Sequence, residues 1–268
     1  IYQFNILYFE MLEKDTNSLL NTFNDRHQEV FIANIYAQDF GVKGYTAQLS
    51  FHYNNDGPSI EYDKNLFLAR PDAIGDAAEH EVDAKYIGLA GEGHWGRLNV
   101  SHFFYYAFGN DSLNNIAGKE VDISAFAAGL ELSVDDDWVR YRFSWLHGSG
   151  DGDPEDNKAE GFDAILPNPN FVGGRNTYWI AQAIPLAGTG VQMVNQDSVF
   201  PSLRSSKVQG QANFVNPGIN IYNIGLDLNL TPKIRSTLNL SKLSFAKTDS
   251  LELVLNQANI AKDIGFDL

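Results

Sequence analysis

The chain contains no cysteine and only two methionines among its 268 residues. Without cysteine it has no disulfide, no thiolate metal site, no thiol nucleophile and no covalently attached c-type haem. Basic residues are also scarce, with 19 Lys and Arg against 34 Asp and Glu. A phosphate-binding surface needs the opposite balance, which argues against nucleic acid as a partner. Long apolar runs are missing too. The longest, such as Ile123 to Leu130, is broken by small or polar residues, far short of the roughly 20 apolar residues a transmembrane helix needs. If this chain enters a membrane, it crosses as strands.

Aromatic residues, by contrast, are abundant, with 18 Phe and 12 Tyr, and both types favour strands and membrane interfaces. The dominant pattern is period two over stretches of about ten residues, the length that crosses an outer membrane as a tilted strand. Val139, Tyr141, Phe143 and Trp145 share one face of a strand whose other face carries Arg140, Arg142 and Ser144. Gly44 to Asn54 and Tyr222 to Leu230 alternate in the same way. Further strands are expected over Tyr2 to Leu12, Phe31 to Gln38, Val82 to Gly93, Leu98 to Phe108, Val121 to Val134 and Ile234 to Phe245. In the last two the apolar parity slips midway, which predicts a β-bulge. Additional strands are placed around Tyr178 to Leu186 and Leu251 to Ile260, making about ten to twelve. Leu19, Leu20 and Phe23 predict a short helix within Thr16 to Gln28.

Links between these strands alternate in length. Short ones fall at Asp39 to Lys43, Glu92 to Gly96, Asp135 to Asp137 and Thr231-Pro232, and long ones at Asn55 to Glu81, Gly148 to Asn176 and Gly188 to Pro217. Long structureless loops are unusual in a compact soluble domain but normal at one end of a membrane barrel. The expectation is therefore an all-β, antiparallel, up-and-down transmembrane β-barrel of the outer-membrane porin type, a single domain over residues 1–268. The chain has no initiator Met or leader and ends at Asp267-Leu268 rather than on an aromatic residue. It is expected to be a fragment of a larger barrel, truncated at both ends.

The stretch from Ser149 to Gly174, SGDGDPEDNKAEGFDAILPNPNFVGG, resembles a loop of outer-membrane porins of the alginate-export family. Leu203 to Gly218, followed by Asn223-Ile-Gly-Leu-Asp and Thr231-Pro-Lys, resembles uncharacterised members of that wider group. The resemblance covers about the C-terminal half and implies a longer protein in the bacterial outer membrane. It implies a channel passing a hydrophilic, anionic solute or polysaccharide, with outer-membrane lipid around it. A structural barrel is the alternative, one that sheathes or anchors a periplasmic or lumenal protein such as an electron-transfer cytochrome. A soluble carbohydrate-binding β-sandwich fits the aromatics but not the outward Tyr, Phe and Leu faces.

Strand parity makes Arg97, Arg140, Arg142 and Arg235 the candidate pore-lining cations, able to set anion preference. Arg140 and Arg142 could equally pair with carboxylates such as Asp122, Glu131 or Asp227. Asp151, Asp153, Glu155 and Asp156 alternate closely enough to converge on calcium, although a solvated loop explains them as well and the EF-hand spacing is absent. No other cofactor is indicated. The six histidines, His27, His52, His80, His94, His102 and His147, lack metal-ligand or triad spacing, so no enzymatic activity is expected. Trp95, Trp138, Trp145 and Trp179, with Tyr53, Tyr105 and Tyr106, suit an interfacial girdle, with sugar-stacking platforms as the alternative.

Overall fold

A computed structural model describes residues 1–12, 25–58, 61–62, 66, 68–70, 75, 78–166, 171–173, 184–185, 192–194, 198–204 and 211–267. Its frame is an antiparallel meander. In chain order the long strands are β1 (Tyr2–Leu12), β2 (Asp25–Gln38), β3 (Tyr45–Asp56), β6 (Val82–Trp95), β7 (Leu98–Asn114), β8 (Lys119–Asp136), β9 (Val139–Gly148), β13 (Ile219–Thr231), β14 (Ile234–Ser244) and the shorter β15 (Asp263–Asp267). Each pairs with the next, and β10 (Lys158–Ala159) adds to β8 in parallel, giving an 11-stranded sheet with β1 and β15 at its edges. Two small hairpin pairs stand apart, β4 (Glu61–Tyr62) with β5 (Leu68–Arg70) and β11 (Ile184–Pro185) with β12 (Gln192–Val194).

Most links sort by end. At one end β2–β3, β6–β7, β8–β9 and β13–β14 turn within six residues; the other holds the tight β7–β8 turn, residues 115–118, and every longer connection. Local chemistry makes the tight turns. Asp39 and Asp137 adopt positive φ, a conformation Asp tolerates, and the Asp39 carboxylate accepts the Gly44 N–H at 2.7 Å. The strand expected over Val82 to Gly93 runs on to Trp95, so the β6–β7 turn is only residues 96–97.

Period two gives the sheet two unlike faces. The connection between β9 and β13 folds back over one of them. Its Phe162, Phe200, Ala212 and Phe214 pack with Val82, Ala84, Tyr86, Ala107, Val121, Ile123 and Ile221 in one buried apolar cluster. None of the described residues outside the sheet packs over the opposite face. Ile6, Leu49, Ile87, Phe104, Phe143, Tyr222, Ile224 and Leu238 lie exposed along it, Ile6 at 74% and Ile224 at 63%.

This division corrects the expected bulges. The β7–β8 and β8–β9 registers run unbroken through Val121 to Val134. Parity slips because the strand changes what it packs against. Val121, Ile123, Ala125 and Ala127 point into the core under the connection, whereas Leu130, Leu132 and Val134 point to the bare face. β14 does the same, with Leu238 and Leu240 bare and Leu243 in the core; its register shifts fall only near its two ends.

The strand expected at Leu251 to Ile260 is instead a helix, α1 (Asp249–Leu255). Leu251, Val254 and Leu255 have the i, i+3, i+4 spacing of a helix face. Leu251 packs with Leu203 and Phe245 in a second buried cluster, and Asn256 ends the helix in the left-handed conformation. Asp25 to Gln28, at the end of the expected helix over Thr16 to Gln28, belongs to β2; its earlier part lies outside the described residues, as does most of Tyr178 to Leu186.

A buried ion pair braces the connection internally, and the Asp163 backbone ties it to the sheet. Arg204 Nε donates to Asp163 Oδ2 at 2.8 Å and its Nη2 to the Ala164 carbonyl at 2.9 Å. Asp163 also accepts the Asn213 and Ala164 N–H groups, and its carbonyl accepts the Tyr86 hydroxyl of β6. Burial pushes the Asp163 carboxyl up, while Arg204 and these N–H groups pull it back. Breaking such a pair leaves a buried charge alone, at a cost of about 3–5 kcal/mol. Arg204→Ala is therefore expected to expose residues 149–218 to protease while the strands stay protected from hydrogen exchange. Equal loss of protection throughout would show that the connection and sheet unfold as one unit.

Candidate functional site

The covered face is graded along its length. Toward the long connections it is core; toward the short turns it is polar. Rows of the sheet make the gradation explicit. His52, Tyr86 and Ala107 stand abreast across β3, β6 and β7, then Ser50, Gly88 and Tyr105, then Gln48, Ala90 and Phe103, and last Thr46, Glu92 and Ser101.

Between these rows and the overlying connection lies a cavity of about 540 Å³, roofed by Phe162, Ile165, Phe171 and Phe200. A polar recess of about 360 Å³ continues toward the short turns, lined by His94, Asn99, Glu131, Ser133 and Arg140 among others. Thr46, Glu92 and Ser101 line both spaces, so they adjoin.

The four expected pore-lining arginines separate. Arg97 sits in the β6–β7 turn, donating from Nε to the Asp135 carbonyl at 2.9 Å and pairing with Asp136. Arg140 is on the covered face of β9 and holds Asp135 through two hydrogen bonds, Nε to Oδ1 at 2.5 Å and Nη2 to Oδ2 at 3.1 Å. Asn99 donates to the same carboxylate. Arg142 lies deeper, with a side chain 12% exposed; it donates to Asn239 Oδ1 at 2.6 Å and stands 3.6 Å from Asp227. Its guanidinium fits because Gly225 is opposite it on β13, where a Cβ would come within 2.5 Å of Nη2. Arg235 is exposed on β14 near the β13–β14 turn.

Arg140 and Arg142 lie opposite the apolar stripe of β9, as strand parity has them, and Asp227 is among the partners weighed for them. Asp135 is not. As the last carboxylate before a tight turn, it meets Arg140 across the hairpin, a pairing that the Asp135-Asp-Asp137 turn signal could have suggested.

The acidic loop serves its own backbone. Asp151 accepts the Asp153 N–H at 3.0 Å, Asp153 the Glu155 N–H at 3.3 Å and Asp156 the Lys158 N–H at 2.6 Å. Asp151 is buried; Asp153, Glu155 and Asp156 are exposed. Among the described residues, no group of three or more His, Cys, Asp or Glu side chains is placed to hold a metal ion. Burial pushes the Asp151 carboxyl up to about 7.

The aromatic residues divide by face. Trp95 and Trp138 are exposed at the short-turn end, where Tyr45 stacks on Trp95 and its hydroxyl is 2.8 Å from His102 Nε2. Tyr53, Tyr106 and Trp145 have bare-face parity. Tyr105 faces the cavity instead; Trp179 lies outside the described residues. The buried His80 is bonded to Asp111 at 2.7 Å among long-connection residues, a structural pairing.

No protein-family model matches the chain, and no curated protein matches it significantly.

Two predictions concern the charges. Arg142→Ala removes the donor to Asn239 and the cation beside Asp227, both partly buried, and should lower unfolding stability by about 1–2 kcal/mol, whereas Arg140→Ala, at a half-exposed pair, should cost under about 1 kcal/mol; urea titration of the refolded protein measures both. For Asp151 the folded state prefers the protonated acid. The resulting loss of stability is absent below the ordinary carboxyl range, grows as pH rises from there toward 7, where only the unfolded chain is ionised, and is constant above it. Resistance of residues 149–218 to protease should fall between pH 5 and pH 8 by a factor that Asp151→Asn flattens, on the order of 2 kcal/mol after allowing for solvent screening.

Proposed function

We propose that the chain forms part of the wall of a bacterial outer-membrane β-barrel through which hydrophilic solutes pass. One observation carries this reading: a wide apolar belt occupies the sheet face that none of the described residues covers, while the covered face is polar toward the short turns. Lipid is the surrounding that makes such a belt favourable.

The belt also drifts in register. A row through Phe51 on β3 passes Ile87, Tyr106 and Phe126 and leaves β9 beyond its end. The row through Phe143, amid the stripe of β9, runs back through Leu132, Val100 and Gly93 to Tyr45, where β3 begins. A belt level with a membrane must shift in this way when strands are inclined to its normal. Trp95, Trp138 and Tyr45 at one margin suit a headgroup layer.

The resemblance to alginate-export porins supports the same localisation. Anion preference has weaker support, because Arg140 and Arg142 are engaged by Asp135, Asp227 and Asn239, and Glu92 and Glu131 share their face. A weakly selective path for uncharged or mixed solutes fits this lining better than a polyanion track. The connection packed over the covered face favours a second reading, a plugged scaffold barrel that anchors a partner.

Planar-bilayer recording separates the two. Discrete ion conductance with an anion-to-cation permeability ratio within about threefold of unity is expected of the weakly selective pore. Silence from correctly folded, membrane-inserted protein would favour the scaffold.

A further inference from the structure

We infer that the aromatic cavity on the covered face is a binding site for a small, uncharged, ring-bearing solute that is apolar over most of its surface and polar at one end. Its walls come from two independent parts of the chain. Tyr86, Phe103 and Tyr105 rise from the sheet, and Phe162, Phe171 and Phe200 descend from the connection. Phe103 meets Phe171 edge to face with centroids 4.9 Å apart, and Tyr86 meets Phe162 in the same way at 6.0 Å. Rings so arranged present faces and edges to a further ring, the geometry aromatic groups prefer.

Space exists because β6 is small where its neighbours are large. Gly88 already lies under the Tyr105 ring, where a Cβ would come within 2.2 Å. Ala90 stands between Gln48 and Phe103 and leaves the gap open. The resulting volume, about 540 Å³, falls in the range of small-molecule sites, which are mainly apolar with a few placed polar groups.

Polarity is greatest at one end, with Gln48 and His52 as polar side chains farther along the sheet wall. The row Thr46, Glu92 and Ser101 forms the floor toward the short turns, suited to a hydroxyl or carbonyl. Glu92 is the one carboxylate, and no Lys or Arg stands among the described lining residues. An anion would therefore be desolvated with no counter-charge and a carboxylate nearby. A cation gains little from Glu92, whose side chain is exposed and solvated toward the adjoining recess. That this solute is one the barrel transports rests on the pore reading; that it binds does not.

The test is equilibrium binding to the refolded full chain in nanodiscs, by calorimetry against empty discs, with phenol, benzoate, benzylammonium and glucose as probes. Phenol should bind at least tenfold tighter than each of the others. Ala90→Trp, which fills the cavity from the sheet, should weaken phenol at least tenfold. Leu166→Trp, which fills it from the exposed rim of the connection, should do the same without burdening the strands. The inference is overturned if phenol does not bind, if a charged probe or glucose matches it, or if both tryptophan variants bind phenol as the parent does. A chain that binds phenol yet conducts no ions keeps this site and loses the pore.

Discussion

An apolar sheet face with none of the described residues packed over it is the constraint on which the rest of this structure depends. Burying apolar surface is worth about 25 cal/mol per Å², and here that surface spans strand after strand from β1 to β14 without a packing layer among the described residues. Antiparallel pairing satisfies the backbone N–H and C=O groups within the sheet, a requirement for any backbone immersed in hydrocarbon. Period-two geometry then leaves the opposite face for everything else: core, cavity and polar recess all lie there.

The β9–β13 connection turns that second face into two environments. Where Phe162, Phe200 and Phe214 press on it, the strands supply Val82, Ala84, Ala107, Val121 and Ile123; where it withdraws, they supply Glu131, Ser133, Arg140 and Arg142. The buried Asp163–Arg204 pair holds the boundary between them by tying the connection to its own backbone and, through Tyr86, to β6. Aromatic cavity and polar recess are consequences of where that connection stops.

Strand positions were legible because alternation and turn chemistry act locally. β1 coincides with the expected Tyr2 to Leu12, and β9 and β13 contain the stretches whose alternation was clearest. Reading parity slips as bulges failed for a physical reason: a strand can turn apolar on its other face without any break in register when a distant segment packs on it. Nothing near Val121 announces Phe214. The same distance hid the cavity, whose halves are separated in sequence, and the Asp163–Arg204 pair. At Leu251 the apolar spacing was helical all along, and reading it as a strand ignored its period. In the acidic loop alternating carboxylates suit calcium or a solvated loop alike, and the same alternation lets Asp151, Asp153 and Asp156 each accept the N–H two residues ahead.

The absence of native cysteine permits the most direct test of the central claim, that the bare face meets lipid. Single cysteines at positions 139 to 147 in turn, spin-labelled in protein reconstituted in bilayers, report collision with oxygen, which partitions into lipid, and with a water-soluble nickel chelate. The account predicts oxygen accessibility alternating with period two, highest at Tyr141, Phe143 and Trp145 and low at Arg142 and Ser144. High nickel accessibility at Tyr141 and Phe143, with no oxygen preference, would place that face in water and contradict it.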